Sequence, residues 1–209
     1  MLTNLFGFPL FKTEINPTSY DKESIISTIE RNYAKDSNRS EMWGNVHHMY
    51  ADEGNSNFEE VDYSSVIPIY DEIIKEFLSS LKARKEFDYN CQLVNYTAMR
   101  KSQSIEKHHH LGADFYLIHY AQFKEGHKGT SYVNEQPFAQ YSQFLMENLT
   151  DILDLNDLSN SWLTSNCSPN LKEDDVIIVP SILSHYVEEQ VLDETRIAIV
   201  ININLKGRE

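Results

Sequence analysis

The segment RIAIVININL, from Arg196 to Leu205, has the clearest periodicity in the chain. Isoleucine or leucine occupies every second position and forms one face. The positions between them carry Arg196, then small or apolar residues, then Asn202. Because successive side chains of a strand point to opposite faces, this pattern predicts a strand with two different environments. Its isoleucine face should pack against another layer, and its other face should line a polar pocket.

Arg196 begins the pocket-facing side of this strand. Its guanidinium group is a planar fork that can pair bidentately with a carboxylate. The alternative is an ordinary charge at the edge of a strand, and the residue taken alone favours that alternative.

His185 lies upstream of this strand, after the apolar stretch Val176–Val179 and a turn that begins at Pro180. The apolar stretch predicts a buried strand. His185 is therefore expected at a strand or turn edge, where a pocket can reach it. The alternative is a surface histidine after a turn.

Three consecutive histidines occupy positions 108–110, between predicted strands at Tyr89–Arg100 and Ala113–Phe123. Side chains two residues apart in an extended segment point to the same side, so His108 and His110 can converge on one metal ion. Imidazole is the commonest protein ligand for iron and neighbouring metals. The alternative is a solvated polar turn that happens to be rich in histidine.

The rest of the chain predicts an α+β protein. Apolar spacing predicts two helices that cover one face of a sheet, and strands follow them with no closing helix. The predicted helices are Tyr20–Tyr33 and Tyr63–Leu81, the further predicted strands are Leu5–Ile15, Thr130–Val133 and Trp162–Asn166, and a polar insert is expected at Phe138–Asn160. Residues 1–209 are treated as a single domain.

Composition excludes several classes of function. The net charge is −14, with 18 basic against 32 acidic residues, and no basic patch stands out, so no nucleic-acid partner is expected. No apolar run approaches the roughly 20 residues that span a bilayer, so no membrane partner is expected. Met1–Phe11 lacks a basic leader and a small-residue cleavage site. Cys91 and Cys167 suit a reducing compartment, so the expected location is a cytoplasm, that of the bacterial host if a phage encodes the protein.

The C-terminal half resembles the iron(II)/2-oxoglutarate oxygenases, in particular a branch found in bacteria and their phages. The segment HHHLGA at 108–113, with the aromatic strand Phe115–Leu117, resembles the histidine-any-histidine motif of that branch. The segment VIIVPS at 176–181, followed by His185, is similar to the strand, proline-serine turn and distal histidine. The segment that begins RIAI at 196–199 is similar to the strand of the oxoglutarate-binding arginine.

The resemblance implies a double-stranded β-helix, a jelly-roll of the cupin type, with the N-terminal helices packed on one sheet. His108, His110 and His185 would hold iron(II), and Arg196 would pair with the distal carboxylate of 2-oxoglutarate. The implied reaction consumes dioxygen, hydroxylates a C–H bond and releases succinate and CO2. Further candidates for contacts with 2-oxoglutarate are Asn95, Tyr96, Tyr116 and Asn202.

The chain departs from the common pattern of the family at two places. The carboxylate that usually follows two residues after the first histidine is replaced by His110, and the spacing of Asp114 is wrong for that motif. Counted from His110, the second position is Gly112, as in halogenating members. A glycine usually precedes the strand before the distal histidine, but residues 173–175 are Glu-Asp-Asp.

Two alternatives stay open: a cupin-like metalloenzyme that does not use 2-oxoglutarate, and a non-catalytic phage module for binding or structure.

The sequence does not identify the substrate, which is expected to be a small molecule or a peptide. Loops vary in such folds and carry substrate contacts, so residues 41–57 and 126–136 are expected at the mouth of the site. The sequence does not establish the oligomeric state either, and a homodimer is left open. The candidates for lining the mouth are Trp43, His47, His48 and Tyr132.

Overall fold

The computed structural model describes residues 2–5, 7–39, 44–51, 54, 57–110, 112–135, 151–154 and 157–208. The strands are β1 (Leu2–Leu5), β2 (Phe8–Glu14), β3 (His47–Tyr50), β4 (Phe87–Met99), β5 (Ile105–His108), β6 (Phe115–Gln122), β7 (Thr130–Val133), β8 (Asn166–Cys167), β9 (Asp175–Pro180), β10 (His185–Val187) and β11 (Arg196–Gly207). The helices are α1 (Lys22–Lys35), α2 (Ile67–Ser80) and a 3-10 helix (Leu158–Leu163).

The strands form two antiparallel sheets. The large sheet has seven strands in the order β1-β2-β9-β6-β11-β4-β3, and the small sheet has four in the order β5-β10-β7-β8. After β4 the chain crosses repeatedly between the sheets, with β5, the β7–β8 pair and β10 in the small sheet and β6, β9 and β11 in the large sheet. This arrangement confirms the predicted α+β class and the double-stranded β-helix.

Helices α1 and α2 cover the outer face of the large sheet. Asp21 caps α1 by accepting a hydrogen bond from the Ser24 amide, and a proline in the first turn of α2 suits a position that needs no amide donor. Their apolar stripes pack on the isoleucine face of β11, as predicted. Burial of each such side chain contributes about 1.5–3 kcal/mol. The main partners are Ile25, Ile29, Ile74 and Phe77 from the helices and Ile197, Ile199, Ile201 and Ile203 from β11.

The inner face of the large sheet packs against the small sheet. Ala198 and Val200 of β11 lie in a second apolar cluster with residues of β6 and β9, such as Ile118 and Val179. Alternation along β11 therefore separates the helix-facing core from the space between the sheets, and Arg196 lies on the inner side.

A β-bulge in β4 changes which of its residues face inward. Val200 of β11 pairs with Asn95, but the next residue pairs with Leu93, so Val94 is an extra residue. As a result Leu93 and Tyr96 both pack toward the helices although three positions separate them. Periodicity in the sequence cannot detect such a shift.

Two predicted strands need correction. Most of the opening strand predicted at Leu5–Ile15 is confirmed as β2, but Leu5 belongs to β1, since the chain reverses at Gly7, which has φ +86°. The segment Trp162–Asn166 overlaps the 3-10 helix, which begins where the Asp157 side chain accepts a hydrogen bond from the amide of Ser159.

Some predictions fall on residues outside the described ranges. Trp43 is one of these, and so are residues 136–150 and 155–156, which make up most of the insert predicted at Phe138–Asn160. Within the described ranges, no helix combines the length and the apolar character needed to cross a membrane.

Candidate metal centre and adjoining pocket

Three histidines converge between the sheets. His108 ends β5 and His185 begins β10, and the two residues pair directly across the antiparallel ladder. His110 follows β5 by two positions, as the alternation argument requires. Candidate ligand atoms of the three rings all lie within 4.8 Å of one another. The structure therefore assembles the predicted triad from two neighbouring strands.

Backbone contacts hold His110 in place after β5 ends. Its amide donates to the carbonyl of Ser181, 3.0 Å away, in the turn between β9 and β10. The Ser181 hydroxyl donates in return to the carbonyl of Ala113. These two hydrogen bonds fasten the segment that carries His110 to the turn that precedes His185.

The partners of the Nδ1 atoms identify the ligand atom of each ring. Nδ1 of His108 lies 2.7 Å from the carbonyl oxygen of Glu106, and Nδ1 of His185 lies 2.9 Å from that of Leu183. A carbonyl oxygen can only accept, so Nδ1 carries the proton in both rings. The Nε2 atoms are then the ones that a metal ion would bind, in the way that outer hydrogen bonds orient histidines in known metal sites.

Tyr116 and Asn202 contact the histidines outside the pocket. The Tyr116 ring stacks on His110, with centroids 4.3 Å apart, and its hydroxyl lies 3.0 Å from Nδ1 of His185. Oδ1 of Asn202 lies 3.5 Å from Nδ1 of His110. Neither side chain, each predicted to contact 2-oxoglutarate, lines the pocket, and both contact histidines of the cluster instead.

Burial keeps the triad neutral. Loss of hydration lowers the pKa of His108, lowers that of His110 to about 4, and lowers that of His185 well below its ordinary value. Each ring is therefore neutral near pH 7, which is the form that binds a metal ion.

Asp114 does not join this cluster. Its side chain is exposed, and Oδ2 accepts a hydrogen bond from the amide of Leu205 at 2.7 Å. Among the described residues, the cluster contains histidines and no carboxylate. The structure therefore answers the question that the sequence left open about Asp114.

A pocket extends from the triad into the space between the sheets. The cavity inside it has a volume of about 40 Å³. Its described wall combines six apolar residues with eight polar or ionisable ones. The apolar residues are Val46, Ile105, Ile118, Val187, Ala198 and Val200, and the polar ones besides the triad are His48, Asn95, Thr97, Thr130 and Arg196.

Arg196 is the charged group of this wall. It is only 1% exposed, and its guanidinium lies 5.3 Å from the centre of the Tyr120 ring. Its Nε has no hydrogen-bond partner, and no carboxylate of the described residues forms an ion pair with it. Burial consequently lowers its pKa. A buried cation without an anionic partner is costly, and a ligand carboxylate would offset that cost.

Thr130 is a polar residue of the wall that the sequence did not reveal. It pairs with Val187 across the small sheet, and its hydroxyl accepts a hydrogen bond of 2.8 Å from Tyr120. The hydroxyl proton of Thr130 is then available to another acceptor. Only the register of β7 and β10, which the sequence does not specify, brings this residue to the pocket.

Neighbouring residues of β4 and β3 point to opposite sides. Asn95 and His48 line the pocket. Tyr96 and His47 lie on the helix side, where the Tyr96 hydroxyl is 3.2 Å from Nε2 of His47. Tyr96, predicted to contact 2-oxoglutarate, therefore does not line the pocket, because the bulge turns its side chain away. Tyr132 is fully buried beside His185 and does not line the mouth.

Asp174 stands where the family pattern usually has a glycine. This residue has φ +64°, a left-handed conformation that costs free energy for residues other than glycine. Its carboxylate accepts hydrogen bonds from the Tyr20 hydroxyl at 2.7 Å and from Nζ of Lys22 at 2.5 Å. These contacts with the start of α1 offset the strain, so the departure does not disturb the turn before β9.

Comparison with known proteins identifies the fold. No protein-family model matches the sequence, and neither does the sequence of any curated protein. Solved structures do match over nearly the whole chain. The Pseudomonas putida prolyl-4-hydroxylase has a TM-score of 0.54 at 10% identity, with 96% of this chain and 93% of that chain covered. The fold is that of the iron(II)/2-oxoglutarate oxygenases.

Two further structures support this result and differ in reaction. The collagen prolyl hydroxylase of Paramecium Bursaria Chlorella virus-1, in its 2-oxoglutarate complex, has a TM-score of 0.52 at 15% identity and coverage of 93% and 94%. The non-heme, α-ketoglutarate-dependent epimerase SnoN of nogalamycin biosynthesis has a TM-score of 0.57 at 10% identity and coverage of 96% and 79%. Identities this low show the fold alone, and the reaction has to be argued from the site.

Proposed function

We propose that the protein is an iron(II)- and 2-oxoglutarate-dependent dioxygenase that hydroxylates a C–H bond of a small molecule or peptide and releases succinate and CO2. One observation carries the proposal. The wall of a single pocket contains both a cluster of three neutral histidines and Arg196, a buried cation that forms no ion pair with a carboxylate of the described residues.

The histidine cluster fits iron(II). Imidazole nitrogen suits first-row divalent metals, and ligands from β5 and β10 approach from one side, so positions remain on the side of the pocket. The triad brings no negative charge to the metal. A dianionic cosubstrate would therefore balance the positive charges of the metal and of Arg196 together.

The chain's own residues bind and orient the reactants. Arg196 would pair with the distal carboxylate of 2-oxoglutarate, and the Thr130 hydroxyl would donate to the same group. The apolar walls formed by Ile118, Val187 and Val200 keep bulk water from the reaction. Iron(II) with 2-oxoglutarate supplies the oxidising chemistry, in which one atom of dioxygen enters succinate and the other enters the substrate.

A metalloenzyme that does not use 2-oxoglutarate is the second candidate. The absence of a carboxylate from the described cluster favours it, since three histidines hold iron in cupin-like enzymes of other kinds. Arg196 argues against it, because such an enzyme gives no reason for a buried guanidinium that faces the same pocket.

Anaerobic titration separates the two candidates. Iron(II) is added to the apoprotein, then 2-oxoglutarate, and the visible charge-transfer band of chelated oxoglutarate is recorded. We expect the band in the wild type, its loss in Arg196→Ala with iron still bound, and loss of iron in His108→Ala and His185→Ala. Arg208→Ala is the matched control, because this exposed arginine follows β11 outside the pocket. Iron binding without a band would favour the second candidate, and failure to bind iron would refute both.

A further inference from the structure

A fourth histidine lies on the pocket wall outside the triad. His48 of β3 is 6% exposed, and its Nε2 is 2.7 Å from Nδ2 of Asn95, on the neighbouring strand β4. The amide nitrogen can only donate, so Nε2 of His48 is the acceptor of this hydrogen bond. His48 is therefore committed to Asn95 and is not among the histidines that cluster as metal ligands.

This arrangement leaves the amide oxygen of Asn95 unsatisfied. Asn95 is 3% exposed, lines the pocket, and its Oδ1 has no hydrogen-bond partner. A buried acceptor without a donor is unfavourable, because it has lost its hydrogen bonds to water. Oδ1 of Asn95 thus marks a place in the pocket where a ligand's donor would be favoured.

The cosubstrate is not suited to this place. At neutral pH 2-oxoglutarate carries only acceptor oxygens, so it has no proton to donate to Oδ1. Asn95 also lies away from Arg196, the residue proposed to bind 2-oxoglutarate. Arg196 pairs with Met99, four residues along β4 from Asn95, which corresponds to roughly 13 Å along the strand.

The charge of the pocket restricts the kind of donor. No carboxylate belongs to the described wall, whereas Arg196 is cationic and a bound metal would add further positive charge. An ammonium group would be repelled here and would lack a counter-ion. The donor is therefore neutral, which limits it to a hydroxyl or an amide N–H.

We propose that His48 and Asn95 form the subsite for the primary substrate, in which Asn95 Oδ1 accepts a hydrogen bond from a neutral hydroxyl or amide N–H of that substrate. His48 is a positioning residue that fixes the orientation of the Asn95 amide. The proposal rests on the oxygenase function proposed above and adds the chemical class of the substrate.

Small probes test the subsite directly on the metal-free protein. The side-chain amide resonances of Asn95 are followed by NMR during titration with N-methylacetamide, 2-propanol and methylammonium. N,N-dimethylacetamide, which has no N–H, is the matched control for the first probe. We expect saturable shifts with the amide, the alcohol or both, and none with dimethylacetamide or methylammonium. A response to the amide alone indicates amide or peptide substrates, and a response to the alcohol alone indicates hydroxylated ones.

Two variants make the test specific. Asn95→Leu removes the acceptor but keeps a side chain of similar volume. The affinity for the responding probe should fall about fivefold, as measured from the NMR signals of the probe. Asn95→Asp keeps an acceptor and adds negative charge, so methylammonium should then bind. Asn90→Leu is the control, since Asn90 lies exposed on the same strand. Equal binding of dimethylacetamide, or no binding of any donor probe, would overturn the subsite.

The failure of this proposal is distinct from failure of the oxygenase function. In Asn95→Leu we expect the iron(II) and 2-oxoglutarate titrations to match the wild type. If the oxoglutarate band is lost as in Arg196→Ala, Asn95 belongs to the cosubstrate and the subsite is refuted, while the oxygenase function stands. If the wild type binds no iron, the oxygenase function fails whatever the probes show.

Discussion

His108 and His185 face each other across the ladder of β5 and β10, with ring centroids 4.2 Å apart. Each ring is oriented by a carbonyl of its own segment, that of Glu106 for His108 and that of Leu183 for His185. The candidate metal centre therefore depends on the register of two paired strands and not on one flexible loop. A change that removes either ring should abolish the centre without unfolding the sheets.

Single substitutions of the triad should remove tight metal binding. His108→Ala, His110→Ala and His185→Ala each delete one ligand, and we expect affinity for iron(II) or cobalt(II) to fall by at least about a hundredfold, as measured against a chromophoric chelator. His109→Ala is the matched control, because this exposed neighbour is not in the cluster. An equal loss in His109→Ala would show that the metal binds to the histidine run and not to the assembled triad.

The Tyr116 hydroxyl should contribute to metal affinity through His185. Tyr116→Phe removes the group 3.0 Å from Nδ1 of His185, and we expect about tenfold weaker metal binding with the fold intact. Tyr70→Phe is a close control, since its hydroxyl lies 2.7 Å from Nδ1 of His119 on the helix side of the sheet. Similar losses in both variants would indicate general loosening of the core instead of an effect on the metal centre.

The long elements of the fold could be predicted from the sequence because their periodicity is complete. The strand at Arg196–Leu205 shows five alternations, and the helices show full apolar stripes, so the helix-facing isoleucines and the inward Arg196 follow directly. β3, β5 and β10 have only three or four residues each, too few for a period to appear. His108 and His185 were predicted from their types and spacing, and not from the strands that carry them.

The errors within the site have physical causes that a single sequence does not show. The bulge at Val94 reverses the alternation of β4, so Asn95 and not Tyr96 faces the pocket. The side chains of Tyr116 and Asn202 point to the inner face of the sheet, as predicted. They contact the histidines, which separate them from the pocket. Thr130 reaches the wall through the register of the small sheet, which depends on contacts far apart in the chain.

Arg196 should lower the stability of the apoprotein while it enables cosubstrate binding. Arg196→Met replaces a buried cation that lacks a carboxylate partner with an apolar side chain of similar length, and we expect stabilisation on the order of 1–3 kcal/mol. Thermal unfolding of the metal-free protein measures this gain, and the oxoglutarate band should be absent from the same variant. Arg208→Met, at an exposed position, should change neither property. A lower unfolding temperature for Arg196→Met would mean that the protein itself compensates the charge.

Asp174 should make the fold depend on pH in the acid range. Burial alone would raise the pKa of Asp174, but the nearby His119 ring, whose Nε2 lies 3.4 Å away, and hydrogen bonds from Lys22 and Tyr20 together lower it below its ordinary value. The folded state thus binds this proton less readily than the unfolded state does. The resulting stabilisation is complete above about pH 4, the ordinary range of an aspartate, and is lost as the pH falls through the lowered pKa.

Asp174→Asn tests this linkage with little change of shape. The variant keeps an acceptor for Tyr20 but loses the charge that faces Lys22, so we expect it to be less stable near pH 7 by on the order of 1–3 kcal/mol. Urea unfolding at a series of pH values should show the difference from the wild type shrinking below about pH 4, where the unfolded wild-type chain begins to bind this proton while the folded chain does not. Asp114→Asn, at an exposed carboxylate, should show no comparable convergence. A difference that stays constant down to pH 2.5 would mean that Asp174 acts through the backbone of its turn and not through its charge.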